Sequence, residues 1–194
     1  MKKLFLMSFF ILPLVSYAGN QQYEDLKAET QQLMSQMIAD TPPTFSSFTN
    51  KEEESIWINS MKKNLKRFSR NVDDEDSLLK AVHYEATRAG LDPVLVLGLM
   101  QVESGFKKYA YSSVGARGYM QVMPFWVDLI GKKDHNLFHL RTNLRYGCTI
   151  LRHYLDIEKG NMSRALGRYN GSLGKSEYPN AVFFAATQFR KELK

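Results

Sequence analysis

The chain has 194 residues, 44% of them apolar and 24% charged, with a formal charge of +6. That is globular composition, and it excludes a generally disordered protein. A single cysteine, Cys148, excludes an intrachain disulfide framework and a Cys-rich zinc site. The one long apolar run, Leu4 to Val15, is too short to span a bilayer.

That run sits in a three-part pattern. Lys2 and Lys3 precede it, and Ser16-Tyr17-Ala18 places small residues three and one positions before a cut. The pattern predicts a secretory signal peptide over residues 1–18 and an exported, periplasmic chain starting near Gly19. The competing reading is a short membrane anchor. No later segment of the sequence is a membrane span. Cys148 lies in a helical pattern and reads as a small buried apolar side chain.

Residues 19–75 read as a helical N-terminal extension. Leu26, Leu33, Met37 and Ile38 have a loose helical spacing that Pro42-Pro43 ends, and Phe45 to Asn50 reads as a loop. Helical spacing resumes from Lys51 to Arg70 through Ile56, Met61, Leu65 and Phe68. This region is either packed on the rest of the chain or a docking arm for a secretion or division machine.

Residues 76–194 read as one compact all-α domain. Leu78, Leu79, Val82, Ala86 and Ala89 share a helix face, and Gly90 suits the position that stops it. Asp92-Pro93 then supplies an N-cap and a first-turn proline. Val94 to Val102 is apolar nearly all round, as in a buried helix. Further helices are expected near 124–130, 141–158, 162–170 and 179–193. Tyr109 to Met123 leaves room for a small hairpin.

The apolar helix ends in a carboxylate, Glu103, followed by Ser104-Gly105-Phe106. An apolar wall and a helix C-terminus both disfavour its charged form, so its pKa is expected to be raised. A carboxyl kept protonated can act as a general acid. Downstream, Gly115 to Pro124 holds two glycines around a short polar loop, where backbone can approach a ligand. Within it, Gln121 offers both a donor and an acceptor. Tyr169-Asn170-Gly171 is a third polar patch, with Tyr178 beyond it.

Glu103-Ser104-Gly105-Phe106, Gly118-Tyr119-Met120-Gln121 with Met123-Pro124, and Tyr169-Asn170-Gly171 stand in one order. In that order and spacing residues 76–190 resemble the soluble lytic murein transglycosylase domain, itself similar to goose-type lysozyme. Tyr119 departs from the leucine usual in that family. The path from Asn170-Gly171 through Ser172 to Tyr178 is shorter than in larger members. The resemblance implies a lysozyme-like fold and cleavage of peptidoglycan between N-acetylmuramic acid and N-acetylglucosamine, leaving a 1,6-anhydro end. It implies Glu103 as the single acid and base, with Ser104 orienting its carboxyl. Gln121, with Gly118, Tyr119 and Met120, would hold the glycan. Tyr169 would support the carboxyl and Asn170 would bind sugar, with Tyr178 on the same wall. A hydrolytic muramidase and a non-enzymatic wall-binding module are the alternatives.

No metal or organic cofactor is expected. His135 and His139 are four apart but lack a third ligand in a recognisable pattern. Between Ser104 and Leu155 there are 8 bases against 2 acids, Asp128 and Asp134. Lys107, Lys108, Arg117, Lys132, Lys133, Arg141 and Arg145 are thus available to attract peptidoglycan carboxylates. Nucleic acid is not expected as a partner, because the chain carries an export pattern and no nucleic-acid motif.

Overall fold

Local signals set most helix ends. Asp74 caps the helix that follows by accepting from the Ser77 N–H. That helix closes at Gly90 (φ +65°), where the Leu91 N–H reaches back to the Ala86 carbonyl. This is the bond of a Schellman motif, which needs a left-handed residue at the stop. Asp92 then accepts from the Val94 N–H, with Pro93 in the first turn.

The structure is a computed structural model and describes residues 21–39, 47–68, 72 and 74–193. The predicted signal peptide and Pro42-Pro43 lie outside the described residues. The helices are α1 (Ala28–Ala39), α2 (Lys51–Phe68), α3 (Glu75–Arg88), α4 (Pro93–Ser104), α5 (Phe125–Ile130), α6 (Leu140–Ile157), α7 (Met162–Asn170) and α8 (Glu177–Arg190). A 3-10 turn, Lys191–Leu193, follows. None of the described helices is long and apolar enough to cross a membrane. The fold is all-α, as expected. In place of the expected hairpin stand two isolated antiparallel bridges, Tyr111 with Arg117 and Arg117 with Val122. Helix α8 starts two residues before the expected position. Pro179 falls in its first turn, where its missing N–H leaves no intrahelical bond unmade.

The apolar helix α4 is the centre of the core, with α3 and α8 packed on it. Gly98 allows the α8 contact: a Cβ there would lie 2.6 Å from the Ala186 nitrogen and 2.8 Å from the Val182 carbonyl oxygen. The backbones of α4 and α8 therefore meet with no side chain between them.

The N-terminal helices share this core. Met34 and Ile38 of α1 and Trp57, Ile58, Met61 and Leu65 of α2 belong to the same buried cluster as α3 to α8. Helix α1 lies against α5 and α6, and α2 lies against α3. The inward faces differ from those expected. Leu33, Ile56 and Phe68 are exposed, while Met34 and Trp57 take the core positions. Each pair of neighbours is apolar, so spacing alone left the helix phase open.

A buried ion cluster ties α1, α3 and α6 together. Glu85, 1% exposed, accepts from Arg141 and Arg145 at 3.1 Å each. Arg145 also donates to the Ile38 carbonyl at 3.3 Å, and Arg88 donates to the Met37 carbonyl. These arginines meet the C-terminal end of α1, where a helix favours cations.

Candidate active site

Glu103 occupies the last turn of α4 and is 6% exposed. The Tyr178 hydroxyl donates to its Oε1 at 2.5 Å, from the first turn of α8. Burial and the adjacent Glu103 charge push the Tyr178 phenol well above its ordinary value, so it stays a donor. Tyr169 is likewise fully buried and pushed up, first by burial and then by Glu103.

The chain leaves Glu103 through two left-handed residues. Gly105 (φ 56°) caps α4, and Phe106 (φ 62°) continues the turn. A phenylalanine rarely adopts that conformation, which costs on the order of 1 kcal/mol. The Phe106 ring holds it there, 2% exposed and 5.9 Å edge-on from Phe189 of α8.

The following loop folds back onto α4. Arg117 and Val122 exchange both backbone hydrogen bonds at 3.0 Å and close a turn over residues 118–121. Gly118 (φ +74°) starts it, and Gln121 (φ 49°) ends it. Only glycine fits at 118, since a Cβ would lie 2.5 Å from both Asn143 Nδ2 and the Leu137 carbonyl oxygen.

Two of the expected site residues bond within the protein. The Ser104 hydroxyl lies between two backbone carbonyls. Its single proton has the Tyr119 carbonyl at 2.7 Å and the Met100 carbonyl at 3.1 Å, so it fastens the turn to α4. Gln121 is 2% exposed and donates through Nε2 to the Gly118 carbonyl at 2.9 Å and the Ala110 carbonyl at 3.2 Å. Its donors brace the loop.

Met120 packs into α6, where Gly147 makes room: a Cβ there would lie 2.3 Å from Met120 Sδ. The Met120 carbonyl accepts from the Tyr169 hydroxyl at 2.8 Å. Tyr169 thus reaches the carboxyl's surroundings through the loop, while Tyr178 touches the carboxyl itself. Tyr119 is a core residue, 7% exposed, and Asn170, also 7% exposed, closes α7 before Gly171 (φ +76°).

Asn143 was not singled out from the sequence. Fully buried on α6, it accepts from the Met120 N–H at 2.8 Å and donates to the Arg117 and Leu137 carbonyls at 2.8 Å each. A signal existed: Asn143 interrupts the stripe of Gly147, Ile150 and Tyr154 on the buried face of α6.

The basic residues divide. Arg141 and Arg145 pair with the buried Glu85, whereas Lys107, Lys108, Lys132 and Lys133 are exposed. Cys148 is buried, and burial pushes its thiol up, away from nucleophilic use. His135 Nδ1 pairs with the Tyr146 hydroxyl at 2.7 Å. Among the described residues no group of three or more His, Cys, Asp or Glu side chains converges as metal ligands would.

Comparison with known proteins places this geometry. A family model described as "Transglycosylase SLT domain" matches residues 80–182. The chain belongs to the transglycosylase SLT domain family. The matched segment runs from within α3 to within α8 and contains Glu103, the 118–123 loop, Tyr169, Asn170 and Tyr178.

Individual relatives in the SLT family cover less. The "Transglycosylase" of Enterobacteria phage PRD1 is 35% identical over 88 residues, 45% of this chain and 32% of that protein. The "Membrane-bound lytic murein transglycosylase C" of Actinobacillus pleuropneumoniae serotype 5b is 50% identical over 46 residues, 24% of this chain and 13% of that protein. Its namesake from Haemophilus influenzae (strain PittEE) is 48% identical over 46 residues. The chain thus matches a third or less of the length of these relatives. The family match leaves α1 and α2 outside it.

Proposed function

We propose that this protein is an exported lytic transglycosylase of peptidoglycan. It cleaves the bond between N-acetylmuramic acid and N-acetylglucosamine without water and leaves a 1,6-anhydro-muramoyl end. The observation that carries the reading is a buried carboxyl, Glu103, gripped by a tyrosine inside an SLT-family domain. Asp128 and Asp134 are exposed on α5 and in the loop after it. Glycosidases that use water or form a glycosyl-enzyme need a second carboxylate across the bond. One carboxyl suffices when the substrate supplies its own nucleophile.

The chemistry then runs in two stages. Glu103 gives its proton to the glycosidic oxygen, the bond from that oxygen to the muramoyl C1 breaks, and the muramoyl acetamido oxygen bonds to C1. The C6 hydroxyl next attacks C1, the acetamido oxygen leaves, and the hydroxyl proton passes to the Glu103 carboxylate. The acid is restored and no water is consumed. Both protonation states of Glu103 are needed in turn. The Tyr178 hydroxyl holds the carboxyl in place meanwhile.

Export rests on the leader pattern at residues 1–18, and the relatives named for murein act on the same polymer. The exposed lysines suit a substrate that carries carboxylates. Digestion of purified peptidoglycan by the mature protein, with Glu103→Gln as control, tests the reading by mass spectrometry. Anhydro-muramoyl products short of one water are expected. Reducing muramoyl ends would make it a hydrolase, and the absence of any Glu103-dependent product would make it a binding module.

A further inference from the structure

Gln21 is an unusual residue for its place. It lies in the irregular segment before α1, where its neighbours Gln22, Tyr23, Glu24 and Asp25 are exposed, yet it is 4% exposed itself. Its Oε1 accepts from the Met123 backbone N–H at 3.2 Å and from the Trp126 indole N–H at 3.0 Å. Its Nε2 is buried without a hydrogen-bond partner among the described residues. Buried polar groups are rarely left in this state. The segment is stitched down just after it: Tyr23 meets Phe125 of α5 edge-on at 5.7 Å, and Glu24 pairs with Arg168 of α7 at 3.2 Å. In α1, Gln31 Nε2 donates to the Leu129 carbonyl at 2.7 Å.

These contacts converge on the active-site loop from behind. Asn143 holds its first half through the Met120 N–H and the Arg117 carbonyl. The second half, ending at Met123, has Gln21. One side chain therefore sets the end of the loop and the start of α5 against each other. It comes from outside the segment that the family model matches.

We propose that Gln21 is a positioning residue of the active site. The N-terminal segment is then a working part of the enzyme, and the loop that frames Glu103 is set only when that segment is seated. The inference rests on the transglycosylase reading for its catalytic consequence. Its structural half stands without it.

The experiment uses the full mature chain with Gln21→Met and Gln21→Glu. Methionine keeps the length and loses both hydrogen bonds. Glutamate keeps an acceptor for the Met123 and Trp126 N–H groups. Well below the unfolding temperature, Gln21→Met is expected to lower kcat on peptidoglycan at least tenfold with KM within twofold. Gln21→Glu should recover most of that loss. A merely structural role would lower the unfolding temperature and leave kcat of the folded enzyme unchanged, and that result overturns the proposal. Amide hydrogen exchange gives the second readout, independent of turnover. In Gln21→Met the Met120, Gln121 and Met123 amides should exchange at least tenfold faster while those of α3 are unchanged. If the wild type has no anhydro product, the transglycosylase reading fails and exchange alone decides. Unaltered loop exchange in Gln21→Met sinks the proposal in either case.

Discussion

The Tyr178 hydroxyl donates to Glu103 Oε1 at 2.5 Å, so the first turn of α8 holds the carboxyl at the end of α4. A hydrogen bond to a charged acceptor contributes about 1.5–3 kcal/mol. Tyr178→Phe removes it and leaves the ring in place. The variant should lose about tenfold to a hundredfold in kcat. Steady-state kinetics of the two proteins checks it, and a kcat equal to wild type would show that Tyr178 does not act through Glu103.

That contact depends on how closely two helices approach. At Gly98 an added Cβ would meet α8 backbone at 2.6 Å, and backbone cannot rotate away as a side chain tip can. Gly98→Ala improves helix propensity by about 1 kcal/mol, yet it overpacks the α4–α8 seam at a cost of about 1–3 kcal/mol. The net expectation is a modest loss of stability in a urea titration with a larger, separate loss of activity, because α8 must shift and carries Tyr178 with it. Activity equal to wild type would mean the seam tolerates the shift without parting Tyr178 from Glu103.

Asn143 makes three hydrogen bonds to backbone from a fully buried position on α6. Asn143→Ala leaves the Met120 N–H and the Arg117 and Leu137 carbonyls without their partner. Unsatisfied buried groups cost about 1–3 kcal/mol each, although the loop relaxes and the terms do not add. A loss of about 3 kcal/mol in unfolding free energy is expected, together with faster proteolysis within residues 110–123. Wild-type stability would show that the turn is held by its Gly118 and Gln121 geometry alone.

Much of the fold was legible because its signals are local. Gly90 and Asp92-Pro93 mark a helix stop and start through bonds made within a few residues, and α4 announces its burial by being apolar all round. The phases of α1 and α2 were not legible, since Leu33 beside Met34 and Ile56 beside Trp57 offer two apolar faces each. In the site, the order of Glu103, Gly118–Gln121 and Tyr169 could be read along the chain. Which hydroxyl meets the carboxyl could not, because that follows from the α4–α8 approach at Gly98. Ser104 and Gln121 sit in the motif that was read, but their atoms turn to loop carbonyls, and a motif specifies a position without its bonding. Gln21 and Asn143 lie outside every motif and act through contacts distant in sequence.

Acid sensitivity should trace partly to His83. Its ring stacks on Phe48 at 3.8 Å, meets Trp57 edge-on at 4.8 Å, and shares a hydrogen bond with Ser47 Oγ at 2.7 Å. Burial holds its pKa below the usual 6.5, against a smaller raising influence from Glu53. Burial lowers His153 in the same way. Below pH 6.5 the unfolded chain therefore binds protons that the folded chain refuses. The stability this gives is complete above the unfolded pKa and is lost as pH falls toward the folded one. Urea midpoints should fall between pH 7 and pH 5. His83→Phe keeps a ring against Phe48 and Trp57 and removes the titrating group. Its midpoint should fall less over that range, with His153 supplying the remainder. Equal slopes for the two proteins would remove His83 from the acid response.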